Sequence, residues 1–232
     1  MFLPLHDANP LTHVTRPYVN WTLIAVTVAV FVFFQTPVAP GYSEIFPASF
    51  GVIPSVLFET RALPPDLRFI PADWTLVSYA FFHGGWMHLL GNMLFLWVFG
   101  DNIEDALGHI KYLLFYLLCA AGGGYAHALF YPTSDAPLIG ASGAVAGVVA
   151  AYLILHPRVK VWVLALGRIP LRLSAMWVLG AWVLMQFYNV FAAADSEVAW
   201  IAHIGGLASG AVLVVLLKRR GVALFDRDLT IS

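Results

Sequence analysis

Charged residues are few in this sequence, and cysteine is almost absent. Only 11% of the 232 residues are charged, whereas 60% are hydrophobic and the mean hydropathy is +0.81. This balance excludes an ordinary soluble domain and indicates an integral membrane protein surrounded by the lipid bilayer. The 12 basic residues are scattered and form no stripe, so no nucleic-acid partner is expected. The single cysteine, Cys119, excludes disulfides and cysteine metal sites, and its apolar surroundings predict a lipid-facing or packed side chain.

Acidic side chains are missing from the apolar runs, and the sequence has no HExxH motif. We expect every Asp and Glu to lie in a loop or tail, and those that flank the runs are Asp73, Asp101, Glu104, Asp105, Asp135, Asp195 and Glu197. Proton pumps, ion-coupled transporters and aspartyl proteases need carboxylates within the membrane, so these classes are disfavoured. A zinc protease would lack its ligand pair, and no metal site is expected.

Six apolar segments predict an all-α polytopic membrane protein with six transmembrane helices. The segments are residues 21–34, 87–99, 112–130, 142–155, 173–191 and 198–217. A long outer loop, residues 40–74, connects helices 1 and 2, and its Pro and Phe content predicts that it lies on the membrane surface. The predicted divisions are an N-terminal tail, a helical domain and a C-terminal tail, at residues 1–18, 19–218 and 219–232.

The basic residues predict the orientation of the chain. If the N-terminus is cytoplasmic, every Lys and Arg except Arg61 and Arg68 falls on the inner side. The positive-inside rule therefore favours cytoplasmic N- and C-termini. The N-terminus lacks a basic start followed directly by an apolar stretch, so we expect the first apolar run to be a retained span and not a cleaved signal.

The stretch PLIGASGAVAG, residues 137–147, places the hydroxyl of Ser142 among small residues at the start of the fourth apolar segment. Pro157 disfavours helix at the residue before it, so this helix has about 14 residues and spans roughly 21 Å of a core about 30 Å thick. Ser142 would then lie below the outer surface, reached by a non-helical loop that is tolerated only beside protein or water. A serine beside glycine in a membrane helix more often serves packing, and taken alone Ser142 stays open to that interpretation.

His203 lies about five residues into the last segment, at a predicted depth similar to that of Ser142. An imidazole that accepts the hydroxyl proton turns serine into a nucleophile, and without a carboxylate in the membrane the pair would be a dyad. A lone membrane histidine can also be structural. Small residues on the two helices would let their backbones nearly touch; they are Gly143 and Gly147, and Ala202, Gly206 and Gly210.

His88 and Asn92 are four residues apart, so on a helix they share one face. Both can donate hydrogen bonds toward a developing oxyanion, and the backbone N–H of Ser142 at a helix N-terminus would add a third donor. The alternative is that they tie the second helix to a neighbour. The GxSxG elbow of soluble hydrolases is not matched, because position 144 is Ala144.

Four motifs together resemble the rhomboid family of intramembrane serine proteases. They are GASG around Ser142, HLLGN at residues 88–92, AHIGGLASG at residues 202–210, and EDALG at residues 104–108. Each motif is weak alone, but the ordered set covers nearly the whole chain. The resemblance implies a cofactor-free peptidase that cleaves single-span or polytopic membrane proteins in a water-filled cavity open to the outer side, here in a bacterial plasma membrane.

Carried onto this sequence, the resemblance implies Ser142 as nucleophile and His203 as general base and acid. His88, Asn92 and the Ser142 amide would form the oxyanion site, with Gly140 shaping the turn before the serine. Gly143 and Gly206 would support the site by packing.

Two positions depart from the family pattern. The family's outer loop often carries Trp-Arg, whereas Trp74 is followed by Thr75. Some members stack an aromatic residue on the histidine from one turn after the serine, whereas this position is Ala146. Two alternatives to a protease stay open: a catalytically inactive rhomboid-like protein that binds or escorts membrane proteins, and a small transporter or channel, which the missing carboxylates disfavour.

Overall fold

The computed structural model describes residues 2–36, 45–165, 167–192 and 198–226. Its helices, in chain order, are α1 (Tyr18–Gln35), α2 (Ile45–Phe50), α3 (Pro54–Leu57), α4 (Thr75–Ser78), α5 (Trp86–Leu107), α6 (His109–Phe130), α7 (Ser142–Leu155), α8 (Ala175–Ala192) and α9 (Trp200–Leu217). Four of them, α1, α6, α8 and α9, are long and apolar enough to cross a membrane. The described part of the chain is therefore mostly helical and contains four helices of spanning length, and six spans stay a prediction.

The region between α1 and α5 contains only short helices in its described part, of which the longest has six residues. Aromatic rings pack it together: Phe50 stacks on both Phe82 and Phe69, with ring centroids 5.2 and 5.9 Å apart. Residues 40–44 of the predicted outer loop lie outside the described residues. Among the described residues, this region holds no helix that approaches the length of a membrane span.

The prediction of an all-α fold is wrong in one respect, because the structure also contains a small antiparallel sheet. Its strands are β1 (Phe2–Asp7), β2 (Lys160–Ala165) and β3 (Ile169–Ser174), in the order β1-β2-β3. Along β2 buried and more exposed residues alternate: Val161 and Val163 are buried, whereas Lys160 and Trp162 are exposed. This period of two is typical of a half-buried strand and was hidden between two long apolar runs.

A buried polar cluster joins the sheet to the helices. The carboxylate of Asp7 accepts hydrogen bonds from the Tyr152 hydroxyl on α7 at 2.5 Å and from the Asn102 amide on α5 at 3.0 Å. Burial raises the pKa of Asp7, and the hydrogen bond from Tyr152 acts against that rise. At the other end of the chain, Phe225 and Asp226 donate backbone hydrogen bonds to carbonyls of α7. Parts of both predicted tails therefore pack on the helical region.

The expectation that every acidic residue lies in a loop or tail is wrong for Asp101, Glu104 and Asp105, which lie in the last two turns of α5. Glu104 is fully buried and accepts hydrogen bonds from the backbone N–H groups of Val19 at 3.0 Å and Asn20 at 2.7 Å. These are unpaired donors in the first turn of α1. Helix α5 continues beyond the apolar run because hydrogen-bond donors from α1 offset the cost of burying the Glu104 carboxylate.

The EDALG motif thus binds neighbouring segments together. Asp105 accepts backbone hydrogen bonds from Thr12 at 3.1 Å, His13 at 2.6 Å and Val14 at 2.7 Å, and Glu104 also contacts the imidazole of His109. Gly108 then reverses the chain between α5 and α6 with φ +85°, a backbone conformation that favours glycine.

Replacing Glu104 by alanine is expected to lower the free energy of unfolding by about 2–4 kcal/mol, because two buried N–H groups of α1 lose their acceptor. Thermal unfolding of the purified protein in detergent measures the change. The matched control is Asp66→Ala, which removes an exposed carboxylate from the region between α1 and α5. Equal melting temperatures for the two variants would contradict this role for Glu104.

Helix α7 lies at the centre of the structure. Every residue from Gly143 to Tyr152 is buried, and the helix packs against α5, α6 and α9. Cys119 is buried against Gly147, where an added Cβ would clash with its Sγ, which confirms the predicted packed cysteine. The start of α7 is thus positioned by neighbours on several sides.

Candidate active site

The turn before α7 is fixed by backbone contacts. Gly140 has φ +124°, a conformation that side chains rarely adopt, and its N–H donates to the carbonyl of Tyr79 at 3.0 Å. The N–H of Ala141 donates to Nε2 of His83 at 3.3 Å, and Leu138 pairs with Val52 in an isolated bridge. Ser142 follows as the first residue of α7, as the sequence predicts.

The small faces predicted on α7 and α9 do meet. An added Cβ at Gly206 would clash with the carbonyl oxygen of Gly143, and one at Gly210 would clash with the carbonyl oxygen of Gly147. Only glycine permits backbones this close. Ser142 is adjacent to Gly143 in sequence, and His203 lies one turn before Gly206, so each candidate residue lies beside the closest contact of the two helices.

Ser142 differs in accessibility from the residues that follow it. It is partly exposed, whereas the next ten residues of α7 are buried. Among the described residues, neither the Ser142 hydroxyl nor Nε2 of His203 makes a hydrogen bond. Catalytic hydrogen bonds are often long without substrate, so this arrangement is compatible with a nucleophile and its base.

His203 is held by three side chains, two of which belong to α8. Its Nδ1 lies 2.8 Å from Oε1 of Gln186. The ring of Trp182 stacks on the imidazole with centroids 6.1 Å apart, and the ring of Trp200 meets it edge-on at 5.7 Å. His203 is buried, with 7% of its surface exposed. The imidazole therefore has a bonded nitrogen on one side and an unbonded nitrogen on the other.

Ala146 lies in a cluster beside Trp182, the residue that stacks on the histidine. Ala146 is fully buried in a small cluster with Ala150 and Leu207, and Trp182 packs against this cluster from α8. A larger side chain at position 146 would compete for the space that the indole uses. The aromatic partner that some family members supply from α7 is thus replaced here by one from α8.

His88 and Asn92 lie on one face of α5, but they differ in exposure. The exposed His88 accepts a hydrogen bond at Nδ1 from the Gly84 N–H at 3.3 Å, so its proton is on Nε2. That nitrogen would lie 2.6 Å from a Cβ at Gly140, and Ser142 Oγ would lie 3.8 Å from the same point. The buried Asn92 donates one amide hydrogen to the His88 carbonyl at 3.1 Å.

The first turn of α7 offers further donors. The first hydrogen bond of the helix runs from the Val145 N–H to the Ala141 carbonyl at 2.9 Å. The N–H groups of Ser142, Gly143 and Ala144 therefore have no acceptor among the described residues. Such groups at a helix N-terminus attract negative charge.

Sequence reasoning missed Gln186 and Trp182, and it interpreted His83 only as a structural or solvated residue at the edge of a span. Gln186 is an amide within an apolar segment and would have been found by the rule that polar side chains inside spans mark functional sites. His83 is 1% exposed, and its ring lies edge-on to that of His88 at 5.0 Å. Burial, and then the neighbouring His88, lower the pKa of His83 to about 3, so it stays neutral and can accept from Ala141.

Comparison with known proteins shows which family the chain belongs to. A family model described as the rhomboid domain matches residues 72–220, which is more than half of the chain. The chain belongs to the rhomboid family. The match contains α5 to α9 and therefore all the candidate site residues.

Three rhomboid relatives illustrate the range of the family. Rhomboid-like protein 11, chloroplastic, of Arabidopsis thaliana is 32% identical over 163 residues, which cover 68% of this chain and 57% of the relative. Rhomboid protein 1, mitochondrial, of Saccharomyces cerevisiae is 30% identical over 152 residues, covering 61% and 41%. Rhomboid protease GlpG of Klebsiella pneumoniae is 25% identical over 209 residues, covering 88% and 62%. The matched part thus spans about half the length of these relatives.

The relatives bear on the predicted location. Two of the three are organelle proteins by name and one is bacterial, so they do not support a bacterial plasma membrane over an organelle membrane. Within the ranges that the structure describes, this rhomboid protein has four helices that are long and apolar enough to cross a membrane.

Proposed function

We propose that this rhomboid protein is an intramembrane serine endopeptidase that cleaves membrane-protein substrates with a Ser142/His203 dyad. The observation that carries the proposal is the glycine contact between α7 and α9, which sets a serine and a histidine on two helices in backbone contact. A relative named as a rhomboid protease, GlpG of Klebsiella pneumoniae, supports the activity.

In the proposed reaction, Ser142 Oγ attacks the carbonyl carbon of a substrate peptide bond while Nε2 of His203 accepts the hydroxyl proton. A tetrahedral oxyanion forms. His203 then gives the proton to the departing amine, which leaves an acyl ester on Ser142. A water molecule then attacks the ester while His203 takes a proton from it. His203 gives this proton to the Ser142 oxygen as the ester bond breaks, which restores the free enzyme.

The oxyanion would be stabilised by donors that surround Ser142. Nε2–H of His88 lies close to Gly140, the Ser142 N–H has no acceptor among the described residues, and Asn92 keeps a second amide hydrogen. Donors that are fixed before the charge develops are the most effective, because little reorganisation is needed during the reaction. Gly140 serves this site because a side chain at that position would clash with the imidazole of His88.

The proposed setting is a six-helix domain, residues 19–218, with Ser142 near the outer side and both termini on the cytoplasmic side. Helix α7 has 14 residues, about 21 Å, so it begins below one membrane surface. Water can reach a serine placed there only through a cavity lined by protein. The proposed partners are therefore the bilayer and single-span or polytopic membrane proteins, and no cofactor is required.

Covalent labelling tests the proposal directly. A serine-directed fluorophosphonate is expected to label the wild-type protein at Ser142, because a hydroxyl beside a general base reacts much faster than an ordinary serine. The Ser142→Ala variant should take up no label, and Ser209→Ala, which lacks a hydroxyl on α9, should label like wild type.

A wild-type protein that takes up no label would favour the alternative, a catalytically inactive rhomboid-like protein that binds or escorts membrane proteins. Mass spectrometry of the labelled peptide distinguishes Ser142 from the other serines.

A further inference from the structure

We propose that Gln186 is a positioning residue for His203, which it holds in the tautomer and orientation that a general base requires. This inference rests on the proposed function. It accounts for the orientation of the His203 imidazole in a protein whose residue 146 is alanine and not an aromatic side chain that could stack on it. The observation behind it is the 2.8 Å contact between Nδ1 of His203 and Oε1 of Gln186.

The orientation of the Gln186 amide is fixed by its other end. Its Nε2 donates to the backbone carbonyl of Trp182 at 2.8 Å. Turning the amide over would place its oxygen against that carbonyl, which would leave two acceptors facing each other. Oε1 therefore faces His203, and because Oε1 can only accept, Nδ1 of the imidazole carries the proton.

The tautomer follows from this direction. With the proton on Nδ1, the lone pair of a neutral imidazole is on Nε2, the nitrogen that makes no hydrogen bond among the described residues. That nitrogen must be unprotonated to accept the Ser142 proton. In serine proteases with a triad, an aspartate fixes the same tautomer, and here a neutral amide would do so without placing a charge in the membrane.

The placement of Gln186 on α8 supports a specific role. Its four sequence neighbours that are large and apolar are exposed, namely Leu184, Met185, Phe187 and Tyr188, whereas Gln186 is 1% exposed. An amide in a membrane helix is unfavourable unless its hydrogen bonds are made. Both ends of Gln186 are bonded, one to its own helix and one to His203, so the amide is placed to serve the histidine.

Trp182 completes the support from α8. Its ring stacks on the imidazole at an interplanar angle of 29° and also contacts Phe95 of α5, with centroids 5.8 Å apart. The stacked face limits rotation of the imidazole, while the amide fixes which nitrogen faces Ser142. Only four of the 18 residues of α8 are buried, and Gln186 is one of them.

The test compares three variants on α8. Gln186→Met keeps the length of the side chain but removes the acceptor, and Tyr188→Phe is a control that changes an exposed residue. Gln186→Glu, as the neutral acid, keeps an oxygen acceptor toward His203 and an O–H donor toward the Trp182 carbonyl. Gln186→Met is expected to lower kcat about 10- to 100-fold with KM unchanged, the size of one lost hydrogen bond to a catalytic group. Its rate of fluorophosphonate labelling should fall in parallel, and Gln186→Glu should recover most of kcat.

The outcomes separate this proposal from the proposed function. If wild type is labelled at Ser142 but Gln186→Met keeps its kcat and labelling rate, the positioning role is overturned while the protease remains. A loss shared equally by the Met and Glu variants also overturns it, because that pattern indicates packing. If wild type is not labelled, both proposals are overturned. Should Gln186→Met fail to fold, Gln186→Asn replaces it, since its shorter chain withdraws the acceptor while keeping the amide.

Discussion

Replacing Ser142 or His203 by alanine is expected to lower kcat/KM for a single-span membrane substrate by about four orders of magnitude or more. The first change removes the attacking oxygen, and the second removes the group that accepts its proton. The two effects should not add in the double variant, because both residues serve the same step. Cleavage is measured with purified protein and substrate in liposomes.

Matched controls separate loss of chemistry from loss of fold. Ser209→Ala removes a hydroxyl from α9 that donates to the Gly205 carbonyl, and His127→Ala removes a partly exposed imidazole from α6. Both controls should cleave within a few-fold of wild type, and Ser142→Ala should unfold at a temperature similar to theirs. His203→Ala should unfold at a lower temperature, because the buried Gln186 amide loses its hydrogen-bond partner. Undiminished cleavage by Ser142→Ala or by His203→Ala would overturn the dyad.

The helical part of the fold was predictable because the membrane imposes one simple pattern. Apolar runs of helical length predict the cores of the long helices, and the fourth run was predicted at residues 142–155, the bounds of α7. The contact between α7 and α9 was predictable too, since glycines four residues apart share a helix face. The sequence motifs also predicted which residues are candidates for the nucleophile, the base and the oxyanion donors.

What could not be predicted depends on contacts between distant segments. Asp105 lies beyond the predicted apolar run, but the N–H groups of residues 12–14 let it lie inside a helix. Strand β2 pairs with the nearby β3 on one side, but on its other side it pairs with residues 2–7, more than 150 residues earlier in the sequence. Gln186 looks like one amide in an apolar run until the fold places it against His203. In each case the partner, and not the local pattern, determines the role.

Replacing Gly206 by alanine is expected to lower the free energy of unfolding by about 1–3 kcal/mol, the cost of overpacking a tight contact. The new methyl would clash with the carbonyl oxygen of Gly143, and its neighbours there are backbone atoms that cannot turn aside. Cleavage should fall by more than the loss of stability explains, because the forced separation also moves Ser142 from His203. A displacement of about 1 Å can lower a rate about 100-fold.

Gly180→Ala is the matched control for stability, since a Cβ there meets no atom within 4 Å. Alanine is the better helix former by about 0.5–1 kcal/mol, so this variant should be as stable as wild type or slightly more stable. Gly210→Ala is the control for geometry. Its methyl would clash with the backbone of Gly147, at a position roughly 10 Å along α9 from His203. If Gly206→Ala and Gly210→Ala unfold alike but the first cleaves more slowly, the difference reports the spacing of serine and histidine. Equal cleavage by the two would show that the contact at Gly206 serves only stability.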